Sequence, residues 1–218
     1  MDNLLDTPFE VKERLSSGSL AGCAVERVDL TDYELERSVM QHVRFSQSTL
    51  QQTRLTDLTA TDVHFTGCQL RRAGMDRALL RQTNIVSSQA MEIDLEGAYL
   101  DSVGIYGTPM SNANFKNSRL TDVVFQSSDL YGANFEGAVL THCRFNDPNL
   151  GSAGLNRVCL RRAVLIDVDL SSAILYGADL TGATFIHVDM RGIVLGETVR
   201  EGMTLIGCTT DFNPNATE

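Results

Sequence analysis

The chain contains no tryptophan, and nine phenylalanines and five tyrosines are its whole aromatic stock in 218 residues. A core of aromatic clusters is not expected, so ladders of leucine and phenylalanine must fill it. No apolar run approaches the ~20 residues that a membrane-spanning helix needs. The first fifteen residues are acidic and mixed rather than charged-then-apolar, which is not the pattern of a secretory leader. The expectation is a cytoplasmic chain with no membrane partner. Five cysteines are an odd number, and their wide spacing matches no zinc pattern. Disulfides are not expected, in keeping with a reducing compartment.

Catalytic constellations are also lacking. None of the four histidines, His42, His64, His142 and His187, stands at catalytic spacing from a serine or cysteine. There is no glycine-rich phosphate loop and no cluster of metal ligands. The expectation is therefore no catalytic residue, no cofactor and no metal. The formal net charge of −10 works against nucleic acid and anionic membranes and favours basic partners.

What the chain does have is a period. From Leu20 to Leu195 every fifth residue is apolar, 36 positions in one phase without a break. A helix repeats near 3.6 and a strand at 2, so this is a repeat architecture whose short units stack into one core. Two residues before each centre the side chain is small, as at Cys23, Ser48, Cys68, Ala98, Ala133, Cys143 and Ala178. A size limit at a second fixed position means that it too points inward. Cys208 shares that position, whereas Cys159 stands one residue before a centre and is expected outside. Glycines such as Gly97, Gly132 and Gly182 fall two residues after a centre, where a corner turn with positive φ is expected.

Units such as Ala133-Asn134-Phe135-Glu136-Gly137 and Ala178-Asp179-Leu180-Thr181-Gly182 resemble the pentapeptide-repeat family over about residues 18–208. The resemblance implies an all-β, right-handed quadrilateral β-helix with four pentapeptides per coil. Thirty-six units then make about nine coils, a rod ~43 Å long at ~4.8 Å per coil. No loop breaks the phase, unlike the loops of the gyrase-protecting branch of that family.

Three regions are expected: an N-terminal cap at 1–17, the solenoid at 18–208 and a loose tail at 209–218. Thr7-Pro8-Phe9-Glu10 reads as a cap, a first-turn proline and a capping-box glutamate, hence a short helix from Pro8 to Leu15. Sorting by twenty residues puts Val25, Phe45, Phe65, Ile85, Ile105, Phe125, Phe145, Leu165 and Phe185 on one inward ladder. Leu20, Met40, Ala60, Leu80, Leu100, Leu120, Leu140, Leu160 and Leu180 form another. Pro148, Leu58, Ile93 and Ile193 do not suit the small position, and bulging is expected there.

The same sorting defines candidate binding residues. Asp129, Asp169 and Asp189 fall on one outward line, with Asn149 between the first two. Ile166, Ile186 and Ile206 form an outward apolar line continuing Val86 and Tyr106, and Leu79 and Tyr99 lie on a neighbouring side with Val39 and Val139. A stacked apolar line on an exposed surface marks a protein interface. The leading reading is a monomeric, non-enzymatic rod that sequesters a basic, DNA-acting protein, as an immunity protein neutralises a bacterial nuclease toxin. The alternatives are topoisomerase protection by DNA mimicry and a scaffold for effector assembly or delivery.

Overall fold

The computed structural model describes residues 3–146, 159–168, 170–171 and 173–211. β1 (Asn3–Leu5) and α1 (Pro8–Ser16) come first. Three strands long enough to turn a corner follow: β2 (Leu20–Glu26), β3 (Val39–Ser46) and β4 (Thr59–Thr66). Later coils divide the same path into three-residue pairs: β5 (Leu79–Arg81) with β6 (Asn84–Val86), and β7 (Tyr99–Asp101) with β8 (Gly104–Tyr106). The next pairs are β9 (Arg119–Thr121) with β10 (Val124–Gln126), and β11 (Val139–Thr141) with β12 (Arg144–Asn146). Last come β13 (Val164–Ile166), β14 (Thr184–Ile186) and β15 (Thr204–Ile206).

All strand pairing is parallel, and from β2 to β12 each residue lies over the one twenty earlier, Met40 over Leu20 and Phe65 over Phe45. Twenty residues are four pentapeptides, so each coil has four sides. The first face is the stack of β2, β3, β4, β5, β7, β9, β11 and β13 to β15, about nine turns from Leu20 to Leu205. The second face is the far half of β2 to β4 continued by β6, β8, β10 and β12. The third and fourth faces are joined by single bridges such as Asp29↔Thr49 and Glu34↔Arg54. This is the all-β solenoid that the resemblance implies.

Its corners explain the residues found there. On both sides of the fourth face the chain makes type II turns, as where Ala73 N–H donates to Leu70 O at 3.0 Å with Arg72 at φ 57°. Positive φ recurs two residues after nearly every centre, at Gly97, Gly132 and Gly182 but also, among the described residues, at 23 non-glycine positions, all polar. Where the second face turns into the third between residues 48 and 128, the small position is hydroxyl- or thiol-bearing: Ser48, Cys68, Ser88, Thr108 and Ser128, all buried. Ser88 Oγ lies 3.0 Å from Val86 O and 3.4 Å from Phe65 O, and accepts the Cys68 N–H at 3.0 Å. These side chains satisfy backbone groups that the turn leaves without a ladder partner.

The centres are buried almost completely, with Phe45 stacked on Phe65 at 5.1 Å and Phe115 on Phe135 at 4.5 Å. Phe125 meets Phe115 and Phe135 edge-on at 5.9 and 6.4 Å. The expected bulges at Leu58 and Ile93 do not occur: both are wholly buried, and the ladder passes through them in Leu79 N–H to Leu58 O and Asn114 N–H to Ile93 O. Each stands near a centre that is only alanine, Ala60 or Ala90, which leaves room for the larger side chain. Ile193 is half-buried, and Pro148 lies outside the described residues.

At the N-terminal end, Thr7 caps α1 by accepting the Glu10 N–H at 3.3 Å, and Glu10 accepts the Thr7 hydroxyl and the Asp6 N–H. The helix lays Val11 wholly into the core. β1 pairs with β2, Leu5 over Val25, and adds part of a coil that the period did not show. At the other end Thr209 bridges Asp189, and the Asp211 carboxylate accepts the Gly192 N–H at 2.8 Å.

One register change reorganises the outer surface. Beyond β12 the offset is 25, not 20: Leu165 lies over Leu140, and Cys159 bridges Asn134. The five additional residues fall between Asn146 and Cys159. Leu165 and Phe185 therefore continue the Leu140 ladder rather than that of Phe125 and Phe145, and Leu160 and Leu180 follow Phe135 rather than Leu140. An added pentapeptide keeps the phase of five, so counting by fives cannot reveal it. What it changes is which side of the rod every later residue occupies.

Two substitution sets check this architecture by denaturant midpoint. Phe125→Ala, which empties a buried ladder position, is expected to cost about 3–5 kcal/mol, against under ~0.5 kcal/mol for exposed Gln126→Ala. Ser88→Ala leaves the Cys68 N–H without an acceptor and should cost about 1–3 kcal/mol. Ser88→Thr should cost far less, since Thr108 makes the same contacts one coil on. Equal effects of Ala and Thr would deny the hydroxyl its role.

Candidate protein-docking surfaces

The register change merges two sets of apolar residues that counting by twenty keeps apart. Leu79 and Tyr99 sit on β5 and β7; Ile166, Ile186 and Ile206 stack on β13, β14 and β15. All five belong to the first face, each in one of two outward columns flanking the buried centres. Val86 and Tyr106 lie on the second face instead, and the residue beneath Ile166 is Thr141. Val139 and Val164 stack in the Leu79 and Tyr99 column. Tyr99 is 41 % exposed and Ile206 49 %.

The aspartates separate in the same way. Asp129 belongs to the third face, where its carboxylate accepts the Tyr131 N–H at 2.9 Å. Asp189 stands on the side that continues the second face, clasped by Arg191. That hydrogen bond, with the Arg191 backbone N–H, holds the Asp189 carboxyl below the usual range. The two do not share a line, and Asp169 and Asn149 lie outside the described residues. The outward line of three carboxylates is therefore not formed by Asp129 and Asp189.

Charge is divided unevenly around the rod. Between residues 28 and 138 the third and fourth faces with their corners carry eleven carboxylates and six cations. The first and second faces between residues 39 and 127 carry three of each: Asp62, Asp101 and Asp122 with Arg44, Arg81 and Arg119. On the acidic side Asp76, Asp94 and Glu96 line an open groove of ≈ 460 Å³ with Arg77, Gly97 and Asn117. Several acids there are tied to the coil above or below, such as Glu92 to Arg72 at 2.7 Å and Arg71 at 2.8 Å, and Asp57 to Arg77 at 2.9 Å. These partners keep Glu92 and Asp57 more acidic than usual.

Histidines mark the corner between the first and second faces. His42 Nδ1 lies 2.7 Å from Asp62, whose other oxygen is 3.0 Å from His64 Nε2. Farther along, Asp122, His142, Asp167 and His187 alternate in one column with contacts of 3.6, 3.3 and 3.4 Å. His42 and Asp62 are twenty residues apart, so their pairing was open to sequence reading. His142 and Asp167 are 25 apart, and only the added pentapeptide brings them together. Among the described residues no group of three or more His, Cys, Asp or Glu side chains has metal-binding geometry. No helix there is long and apolar enough to cross a membrane.

Cys23, Cys68 and Cys143 are buried at the small position, and Cys159 is half-exposed in the outward column of Asn134 and Asp179. Burial pushes the Cys143 thiol up to about 12, so it acts as a packing group and weak donor, 3.5 Å from Leu120 O.

The hydrogen bond from His42, and then that from His64, holds Asp62 below the ordinary aspartate range. A folded-state pKa lowered in this way stabilises the rod above the unfolded-state value and is lost as pH falls through the folded one, below about pH 4. In a carboxyl NMR titration, His42→Ala should move the Asp62 midpoint upward. An unmoved midpoint would show that the pair does not persist in solution.

Comparison with known proteins places the chain. A family model described as Pentapeptide repeats matches eight copies over residues 118–153 and 159–196. The five unmatched residues between the two blocks lie where the register changes. No curated protein sequence matches the chain. Among solved structures the chain is similar to full-length QnrB1, a plasmid-mediated fluoroquinolone resistance protein. The identity is 18 % over 86 % of this chain and 93 % of that one, with a TM-score of 0.53. It is also similar to HetL, a pentapeptide repeat protein involved in heterocyst differentiation regulation from the cyanobacterium Nostoc sp. strain PCC 7120. There the identity is 19 % over 98 % and 99 % of the two chains, with a TM-score of 0.42. The chain thus carries eight pentapeptide repeats over residues 118–153 and 159–196, within a parallel β-solenoid of the fold seen in QnrB1.

Proposed function

We propose that this rod is a non-enzymatic protein that captures and blocks a basic, DNA-acting protein on its acidic side, as an immunity protein blocks a nuclease toxin. The observation that carries the reading is the charge division in the N-terminal two thirds of the rod: eleven carboxylates against six cations on the third and fourth faces between residues 28 and 138, and three against three on the others between residues 39 and 127. An acid excess gathered on one side of a rod steers a cationic partner to that side and leaves the opposite side for other contacts. Asp129 takes part from the third face, and Asp76, Asp94 and Glu96 from the groove on the fourth. Asp189, already paired with Arg191, contributes less.

A second reading is protection of a type II topoisomerase through the same acidic side. It is favoured by the fold shared with QnrB1, a fluoroquinolone resistance protein. The two readings part in the assay. The rod is titrated into plasmid cleavage by a basic DNase toxin from the same genome, and into plasmid supercoiling by DNA gyrase. The immunity reading expects cleavage to stop and supercoiling to be untouched; the topoisomerase reading expects the reverse, with raised fluoroquinolone tolerance in expressing cells. In either case Asp94→Asn, Glu96→Gln and Asp129→Asn together should slow association several-fold at low salt and little at high salt. A rod that affects neither reaction, or a triple variant that acts like wild type, defeats capture by the acidic side.

A further inference from the structure

The first face stands opposite the third and shares a corner with the fourth, and its borders indicate what covers it. We propose that two copies of this chain pair side by side and parallel, first face against first face, about a two-fold axis along the rod. Toward its C-terminal end the face presents Val139 and Thr141, Val164 and Ile166, Thr184 and Ile186, with Ile206 beyond them. These are β-branched side chains in two straight columns, suited to packing on a like surface.

Charge selects the partner and the orientation. Arg119 and Arg162 have no ion partner among the described residues, although the protein carries ten more negative than positive charges. Each has a carboxylate in its own coil toward the opposite border of the same face: Asp122 for Arg119, and Asp167 for Arg162. A two-fold axis along the rod exchanges the borders and keeps each coil level. It sets Arg119 against the partner's Asp122, and Arg162 against the partner's Asp167. His142 and His187 flank Asp167 at 3.3 and 3.4 Å, and His142 is 3.6 Å from Asp122; His42 and Asp62 stand at the same border toward the other end of the rod.

An antiparallel pairing would instead bring the two aspartate borders together. Size also favours the parallel form. A side five residues wide is ~16 Å across and the rod is ~43 Å long, so full overlap covers roughly 1,300 Å² in total. That is within the range of specific interfaces, and partial overlap at one end is not.

Sedimentation velocity on the full chain at high micromolar concentration and low salt tests this. The expected species has twice the 23.9 kDa chain mass. Ile186→Asp should give a monomer with an unchanged circular dichroism spectrum. Arg162→Asp and Asp167→Arg should each weaken pairing roughly tenfold, and the two together should restore it, as only this arrangement of borders allows. A monomeric wild type, a dimer indifferent to Ile186→Asp, or a double variant no better than the singles would overturn the proposal. None of these outcomes bears on the acidic side, whose three substitutions lie on other faces.

Discussion

Each coil of the rod is joined to the next by backbone hydrogen bonds that run along the axis, such as Leu50 N–H to Gln69 O and Gln69 N–H to Ser48 O. Everything else must be compatible with that ladder. It needs every coil to turn its corners at the same height and angle, so a residue with positive φ recurs two places after nearly every centre. At most of these corners the chain has no glycine, and a left-handed conformation costs a side chain about 1–2 kcal/mol. Stacking offers a partial return, because the same ladder lines these side chains up. Arg27 bonds Gln47, Gln52 bonds Asp32, and Arg72 bonds Glu92, each across one coil. Such exposed pairs are individually weak, and they offset only part of the strain beneath them.

The ladder also decides the chemistry of the small inward position. At type II corners the turn closes its own hydrogen bond, and Ala73, Ala113 and Ala133 suffice. Where the second face meets the third between residues 48 and 128, no such bond closes the turn, and Ser, Thr or Cys supplies an oxygen or sulfur to the backbone. Both kinds of residue are small for the same packing reason. They differ because a buried amide without an acceptor is expensive, and an alanine cannot provide one.

The surfaces follow from the path of the chain around the rod. One added pentapeptide before Cys159 moves Ile166, Ile186 and Ile206 onto the side that already holds Leu79 and Tyr99. It also moves Asp167 into line with His142. The result is one face with little charge and β-branched side chains, opposite a side where carboxylates predominate. A rod with two unlike sides can engage two unlike surfaces without loops, because its flat faces already present side chains in fixed columns.

The period of five, the inward centres from Leu20 onward, the small position, the glycine corners and the capping of α1 by Thr7 were all legible in the sequence. They are local: each is set by a residue and its near neighbours, and repetition makes the signal additive. The oversized Leu58 and Ile93 were misjudged, because the room they use is left by Ala60 and Ala90 at other positions. The alternation of Asp122, His142, Asp167 and His187, and the gathering of Leu79, Tyr99 and Ile166 on one face, could not be read at all. They depend on how many pentapeptides complete a coil. A coil of five units has the same phase along the chain as a coil of four, so only the pairing of one coil with the next distinguishes them.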